Sequence, residues 1–204
     1  MQRNIQTIYL TLQKNSPWIV LAYAIFASWF TYFHRIFDEL PNALIFYLAI
    51  PVIIICSLKG RLRDHGIALG DWRQGILWTL VFITLSITIT YFSVQKIPGI
   101  RRYYYGEVFG PALILNTLAY MAAWEFFLRG FLLFGLNKLG FTRANIIQTV
   151  IFFLMHIGKP GLELYSTLLT GLLFGYLTYR CKSVIPMIII HSAIFLSVVF
   201  FATR

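Results

Sequence analysis

Long apolar runs, rather than alternating apolar and polar positions, dominate this chain of 204 residues. Seven runs predict helices that cross a bilayer, whose apolar core of about 30 Å requires about 20 helical residues. They cover residues 17–33, 41–58, 75–94, 111–136, 144–156, 161–179 and 184–202. Because the runs are continuously apolar, they favour helices over the strands of a membrane barrel. The pattern predicts an all-α, polytopic transmembrane helix bundle with about seven spans, within a range of six to eight.

The composition excludes an ordinary soluble domain. Hydrophobic residues make up 59% of the chain and charged residues only 12%. A soluble domain of this length has too little interior to shelter so much apolar surface. No soluble domain, repeat or linker interrupts the pattern, so we predict one integral-membrane domain over residues 1–204, with the lipid bilayer as its solvent.

The net charge of +10 is explained by membrane topology. The basic residues are dispersed among short loops and no nucleic-acid-binding module accompanies them, so we expect no nucleic acid partner. Alternating spans put ten basic residues on one face: Arg3, Lys14, Lys59, Arg61, Arg63, Arg73, Lys138, Arg143, Arg180 and Lys182. The other face receives six: Arg35, Lys96, Arg101, Arg102, Lys159 and Arg204. The positive-inside rule then predicts a cytoplasmic N-terminus, in a multi-pass protein that we place in a prokaryotic cell membrane.

Four ionisable residues stand out within the apolar runs. Glu125 and Arg129 are about one helical turn apart in the fourth run, His156 closes the fifth and His191 lies in the seventh. Counted from the predicted cytoplasmic ends, Glu125 lies about 16 Å deep, His156 about 18 Å and His191 about 11 Å. These residues can therefore occupy one layer of the membrane. Ionisable groups at such depths are costly and are functional candidates.

Simpler interpretations of these residues exist. Glu125 and Arg129 can be an ion pair that only neutralises itself in the membrane, and a lone buried histidine is more often a structural residue than a catalyst. Two histidines and one glutamate can in principle bind zinc. The chain lacks a His-Glu-x-x-His spacing, however, and Arg129 beside Glu125 disfavours a cation, so we expect no metal and no cofactor.

The order and spacing of these residues resemble a known family of intramembrane proteases, the CAAX-protease and bacteriocin-processing (CPBP) family, also called Rce1-like or Abi. Its pattern is Glu-Glu-x-x-x-Arg-Gly on one helix, Phe-x-x-x-His on the next, and a second His on a later helix, commonly followed four residues on by Asn. The matching segments are WEFFLRG at 124–130, FFLMH at 152–156 and HSAIF at 191–195. The resemblance covers residues 111–200, which we predict to be the catalytic core.

This resemblance implies hydrolysis of a peptide bond in a membrane-associated protein or peptide. Glu125 and His156 would activate water, Arg129 would hold the carboxylate, and His191 would stabilise the oxyanion. Two positions depart from the family pattern: Trp124 stands in place of the first glutamate and Phe195 in place of the asparagine. An indole N–H only donates hydrogen bonds, so Trp124 cannot take over the work of a carboxylate.

Two other functions therefore stay open. A chain that lost the first glutamate can be a catalytically weakened relative that serves as a membrane scaffold or immunity protein. A proton-coupled transporter also buries Glu, Arg and His in a membrane, although it would more naturally show paired half-repeats or broken helices. We expect a glutamate-type intramembrane endopeptidase.

Overall fold

The structure is a computed structural model that describes residues 11–34 and 36–204. Arg3 and Arg35, which enter the charge count above, and the N-terminus itself lie outside these residues. The described part of the chain consists of helices joined by short loops, without β-strands. The predicted all-α bundle is confirmed.

The helices follow the predicted apolar runs closely. Five described helices are long and apolar enough to span a membrane: α1 (Ser16–Phe33), α2 (Glu39–Ser57), α3 (Trp72–Lys96), α5 (Pro111–Phe134) and α8 (Ile185–Ala202). The other two predicted spans correspond to α6 (Phe141–Leu154) and α7 (Gly161–Cys181), the latter with Glu163 in its first turn and Arg180 in its last. A short helix that the pattern did not predict, α4 (Pro98–Tyr104), precedes α5.

Contacts between loops define a basic face of the bundle, formed by residues 58–71, 135–140 and 182–184. The backbone N–H of Val184 donates to the carbonyl of Gly66 at 3.0 Å, which ties the loop after α2 to the turn before α8. Lys138 Nζ donates to the carbonyl of Gln13 at 3.0 Å, and Gln13 Nε2 donates to the carbonyl of Leu58 at 3.5 Å. The segment 59–75 is therefore a connector that packs onto the bundle.

The opposite face is formed by residues 97–110, residues 155–160 and the C-terminal end of α8. Tyr104 of α4 donates to Glu163 of α7 across 2.7 Å. Phe109, which precedes α5, packs edge-on against Phe200 of α8 with ring centroids 5.3 Å apart. The segment before α5 thus closes over the ends of α7 and α8.

Helix α5 is the centre of the bundle. Every residue from Phe126 to Leu133 is buried, because this half of the helix packs against α1, α2, α6 and α7 together. The other half, Pro111–Glu125, packs against α2 and α8 instead. Because Glu125 ends one half and Arg129 lies in the other, the ion pair sits where the neighbours of α5 change.

The second half of α5 is a π-helix over Phe126–Phe134, and α2 contains another over Leu44–Ala49. The two wider segments touch where Tyr47 stacks on Phe127 with ring centroids 4.7 Å apart. A π-helical turn inside an α-helix is uncommon and occurs frequently at functional sites. Gly130 lies in this segment, where a Cβ would come within 2.8 Å of the carbonyl oxygen of His65.

Helices α6 and α7 form a hairpin that polar groups hold together. Gln148 Nε2 donates to the carbonyl of Gly171 at 2.8 Å, and Asn145 Nδ2 donates to the carbonyl of Leu172 at 3.0 Å. A Cβ on Gly175 would lie only 1.9 Å from Asn145 Oδ1. The spacing of Gly171 and Gly175 therefore brings α7 close enough for side chains of α6 to bond its backbone, as small residues do between membrane helices.

Candidate active site

Glu125 and Arg129 form a completely buried ion pair on α5. Arg129 Nη1 donates to Glu125 Oε1 at 3.2 Å, and both side chains are 0% exposed. The guanidinium carbon of Arg129 also lies 4.3 Å from the ring centroid of Phe152 and 5.6 Å from that of Phe174. Arg129 is thus held between a carboxylate and two aromatic faces, where the negative faces of the rings stabilise its charge.

His191 of α8 completes the coordination of one carboxylate oxygen. Its Nδ1 lies 2.7 Å from Glu125 Oε1, and because a carboxylate oxygen beside a guanidinium accepts, Nδ1 carries the donated hydrogen. Oε1 therefore accepts from both Arg129 and His191. The other oxygen, Oε2, is buried and accepts no hydrogen bond from any described residue. Glu125 is thus fixed by one oxygen and keeps the acceptor capacity of the other.

His156 follows the C-terminal end of α6. Its Nδ1 donates to the carbonyl of Phe152 at 2.9 Å, four residues earlier, which leaves Nε2 as the acceptor of a neutral ring. The rings of His156 and His191 are nearly parallel, at an angle of 18°, with centroids 6.5 Å apart. Phe152 packs edge-on against both imidazoles, with centroids 4.5 Å from His156 and 5.9 Å from His191.

The structure thus brings together all four ionisable residues that the sequence singled out. The group is nearly sealed, since His156 is 7% exposed and the His191 side chain 13%. A surface cavity of about 730 Å³ lies elsewhere, lined by residues 36–39 and Pro41. The catalytic roles of the four residues stay predictions. Among the described residues, no three His, Cys, Asp or Glu side chains are grouped as ligands of a metal ion.

The two positions that depart from the family pattern pack differently. Trp124 is 9% exposed and lies edge-on to His156 at 5.8 Å and to Tyr47 at 5.5 Å. Its indole Nε1 is buried and makes no hydrogen bond within the described part of the chain. Phe195 packs edge-on against Tyr104 at 5.9 Å, one helical turn beyond His191. Trp124 therefore borders the site directly, whereas Phe195 joins the site to the opposite face.

The sequence did not indicate three residues of the opposite face that lie close to this site: Tyr104, Lys159 and Glu163. Lys159 Nζ lies 3.9 Å from Glu163 Oε1 and 3.4 Å from the hydroxyl of Tyr104. The four-residue spacing of Lys159 and Glu163 is that of a helical ion pair and is visible in the sequence. The approach of Tyr104 depends on α4, which the pattern did not predict.

Comparison with known proteins gives one result. The sequence model of the family described as type II CAAX prenyl endopeptidase Rce1-like matches residues 106–197, which include all four site residues. The resemblance seen in the motifs is confirmed. No curated protein and no solved structure matches the chain.

Proposed function

We propose that this chain, whose residues 106–197 match the model of the Rce1-like family of type II CAAX prenyl endopeptidases, is a glutamate-type intramembrane endopeptidase. The match to a protease family and the five helices that are long and apolar enough to span a membrane support hydrolysis of a peptide bond at the membrane. The substrate in this proposal is a membrane-associated protein or peptide. The N-terminus of the protease itself faces the cytoplasm in the same proposal.

The observation that carries the proposal is the asymmetry of the Glu125 carboxylate. Oε1 accepts from Arg129 and His191, whereas Oε2 is left without a donor among the described residues. A catalytic base needs an oxygen that is free to accept a proton and a side chain that cannot turn away from it. Two charge-assisted hydrogen bonds to Oε1 meet the second requirement, because they hold the plane of the carboxylate.

In the proposed reaction, a water molecule donates hydrogen bonds to Glu125 Oε2 and to Nε2 of His156. Its oxygen attacks the carbonyl carbon of the substrate while a proton passes to Glu125. The negative charge that develops on the carbonyl oxygen is stabilised by Nε2–H of His191 in its imidazolium form. Glu125 then gives the proton to the leaving nitrogen as the C–N bond breaks, which releases a carboxylic acid and an amine.

Glu125→Gln tests this proposal most directly. The amide keeps the shape of the side chain but cannot take up a proton, so cleavage of a membrane-tethered peptide should fall by ~10²–10⁴-fold, the usual contribution of general-base catalysis. Glu107→Gln removes an exposed carboxylate of the opposite face and serves as the matched control. Undiminished cleavage by purified, folded Glu125→Gln protein would defeat the mechanism even though the family assignment stands.

A weakened relative that binds a membrane partner is the second candidate function, and Trp124 is the observation that favours it. An apolar ring borders His156 where the family has a carboxylate. Trp124→Glu separates the two functions. In a weakened relative the restored carboxylate should raise cleavage above that of the wild-type protein, whereas in an active enzyme adapted to Trp124 it should leave cleavage unchanged or lower it.

A further inference from the structure

Tyr104, Lys159 and Glu163 form a polar cluster on the opposite face, which we call the rim cluster. The hydroxyl of Tyr104 donates to Glu163 Oε2 across 2.7 Å. Burial, and then the neighbouring carboxylate of Glu163, raise the pKa of Tyr104, so its hydroxyl stays a donor at neutral pH. Glu163 therefore accepts a short hydrogen bond from Tyr104, whereas the ammonium group of Lys159 lies 3.9 Å from its carboxylate.

The rim cluster contacts the two segments that carry His156 and His191. The backbone N–H of Lys159 donates to the carbonyl of His156 at 3.0 Å, in the turn that follows α6. On the other side, Phe195 lies one helical turn beyond His191 and packs against the ring of Tyr104. The rim cluster therefore borders, on the opposite face, the elements that carry the two imidazoles.

The ammonium group of Lys159 is only partly neutralised. Its side chain is 30% exposed, and its distance of 3.9 Å from Glu163 is longer than that of a direct charge-assisted hydrogen bond. Nζ donates one hydrogen to the hydroxyl of Tyr104 at 3.4 Å. The rings of Tyr103 and Tyr104 lie 4.9 Å and 5.3 Å from Nζ, within the range of a cation–π contact. An ammonium group has three donors, so Lys159 keeps one beyond those directed at Tyr104 and Glu163.

We propose that Lys159 is a specificity-determining residue, whose ammonium group binds a carboxylate of the substrate close to the scissile bond. This inference rests on the proposed function, because it assigns a substrate class to the same site. The carboxylate can come from an Asp or Glu side chain or from the C-terminus of the substrate. In either case the substrate carboxylate pairs with the ammonium group of Lys159. Glu163 accepts a hydrogen bond from Tyr104 and approaches that ammonium group only to 3.9 Å.

Four versions of one lipid-tethered peptide distinguish the two sources of the carboxylate. They pair Asp or Asn near the scissile bond with a free or amidated C-terminus. The wild-type protein should cleave at least one carboxylate-bearing peptide on the order of tenfold faster than its neutral counterpart, the effect of one charge-assisted hydrogen bond. Equal kcat/KM values for all four peptides would overturn the inference.

Substitutions should move this preference in opposite directions. Lys159→Gln should reduce the ratio of carboxylate to neutral peptide to about one, and Lys159→Glu should invert it. Glu163→Gln should raise the ratio, because the competing carboxylate is lost while the amide oxygen still accepts from Tyr104. Lys96→Gln, which removes an exposed cation at the end of α3, is the matched control and should leave the ratio unchanged.

A binding measurement keeps this inference separate from the proposed function. Glu125→Gln protein in detergent is titrated with the same four peptides, with and without Lys159→Gln. Tighter binding of the carboxylate peptide that disappears with Lys159 supports the inference even if the wild-type protein cleaves nothing, in which case the proposed function fails alone. Equal affinity for carboxylate and neutral peptides overturns the inference, whatever the cleavage result.

Discussion

The imidazole of His191 and the carboxylate of Glu125 are joined by a hydrogen bond of 2.7 Å between residues 66 positions apart in the chain. Only Nδ1 of His191 takes part, so Nε2 is left for the substrate in the proposed reaction. His191→Asn should preserve the hydrogen bond to Glu125, because an amide N–H can stand near the position of Nδ1. It should lose the donor that Nε2 offers to the substrate. Folded stability should remain near wild type while kcat falls ~10²–10³-fold, the usual effect of losing an oxyanion donor.

Cleavage rates and thermal unfolding of purified His191→Asn and His191→Ala proteins check this prediction. The Ala variant should lose stability as well, because Glu125 loses a donor in a buried position. Full activity of the Asn variant would assign His191 a structural role only.

Arg129→Lys tests whether the arginine positions Glu125 or only balances its charge. Lysine keeps the charge but loses the planar group that bonds Glu125 and lies over Phe152. We expect a loss of kcat/KM on the order of tenfold or more, with KM less affected than kcat. The double variant Glu125→Gln/Arg129→Gln removes both charges, so it should fold and yet be inactive. Activity in the double variant would reduce the pair to a structural ion pair.

Gly175→Ala should destabilise the hairpin of α6 and α7. The new Cβ would lie 1.9 Å from Asn145 Oδ1, whose side chain is held by Leu172 and by Gln148, so the helices must separate. Overpacking of this kind costs about 1–3 kcal/mol. Gly161→Ala at the start of the same helix is the control, because a Cβ there meets nothing within 4 Å. Thermal unfolding of both variants in detergent measures the difference, and equal unfolding temperatures would contradict the close approach.

His65 should make stability depend on pH. Its Nδ1 donates to the carbonyl of Gly130 at 3.1 Å, and burial lowers the pKa of His65 below its usual value. The folded protein therefore binds fewer protons at this side chain than the unfolded chain does, and stability is lost as the pH falls below about 6.5. The unfolding temperature should drop between pH 7 and pH 5, and His65→Gln should flatten that drop. His34→Gln, at an exposed histidine, should leave the profile unchanged.

The predicted orientation places the basic face in the cytoplasm. Single cysteines at Lys59, Lys138 and Lys182 in a background without Cys56 and Cys181 should react with a membrane-impermeant thiol reagent only after the membrane is opened. A cysteine at Tyr105 on the opposite face should react from outside without that treatment. The reverse pattern would place the N-terminus outside.

The sequence predicted the helices well because apolar runs of membrane length leave few alternatives. It also predicted that Glu125 and Arg129 share a face, since four residues make about one turn whether the helix is α or slightly wider. The meeting of His156 with His191 followed from matched depth and from the family spacing. Their tautomers did not, because these depend on contacts with Phe152 and Glu125 that arise only when α5, α6 and α8 pack.

Other features were beyond the sequence for physical reasons. The π-helix at Phe126–Phe134 packs against Tyr47 and lies close to the carbonyl of His65, contacts that exist only in the folded bundle and cannot be seen in the order of its residues. Helix α4 is short and rich in arginine and tyrosine, so it has no apolar stripe of membrane length. The rim cluster depends on α4 and was therefore not predicted.

The enclosure of α5 bears on how the chain enters the membrane. Ribosomes complete this helix before α6, α7 and α8 exist, yet Phe152, Phe174 and His191 from those helices are what cover Arg129 and pair with Glu125. A charge at the centre of a lone membrane helix costs about 2.5–3.5 kcal/mol on insertion scales. Until the later helices arrive, these contacts are missing and the ion pair between Glu125 and Arg129 remains, so stable residence of α5 in the bilayer depends on sequence that is synthesised after it.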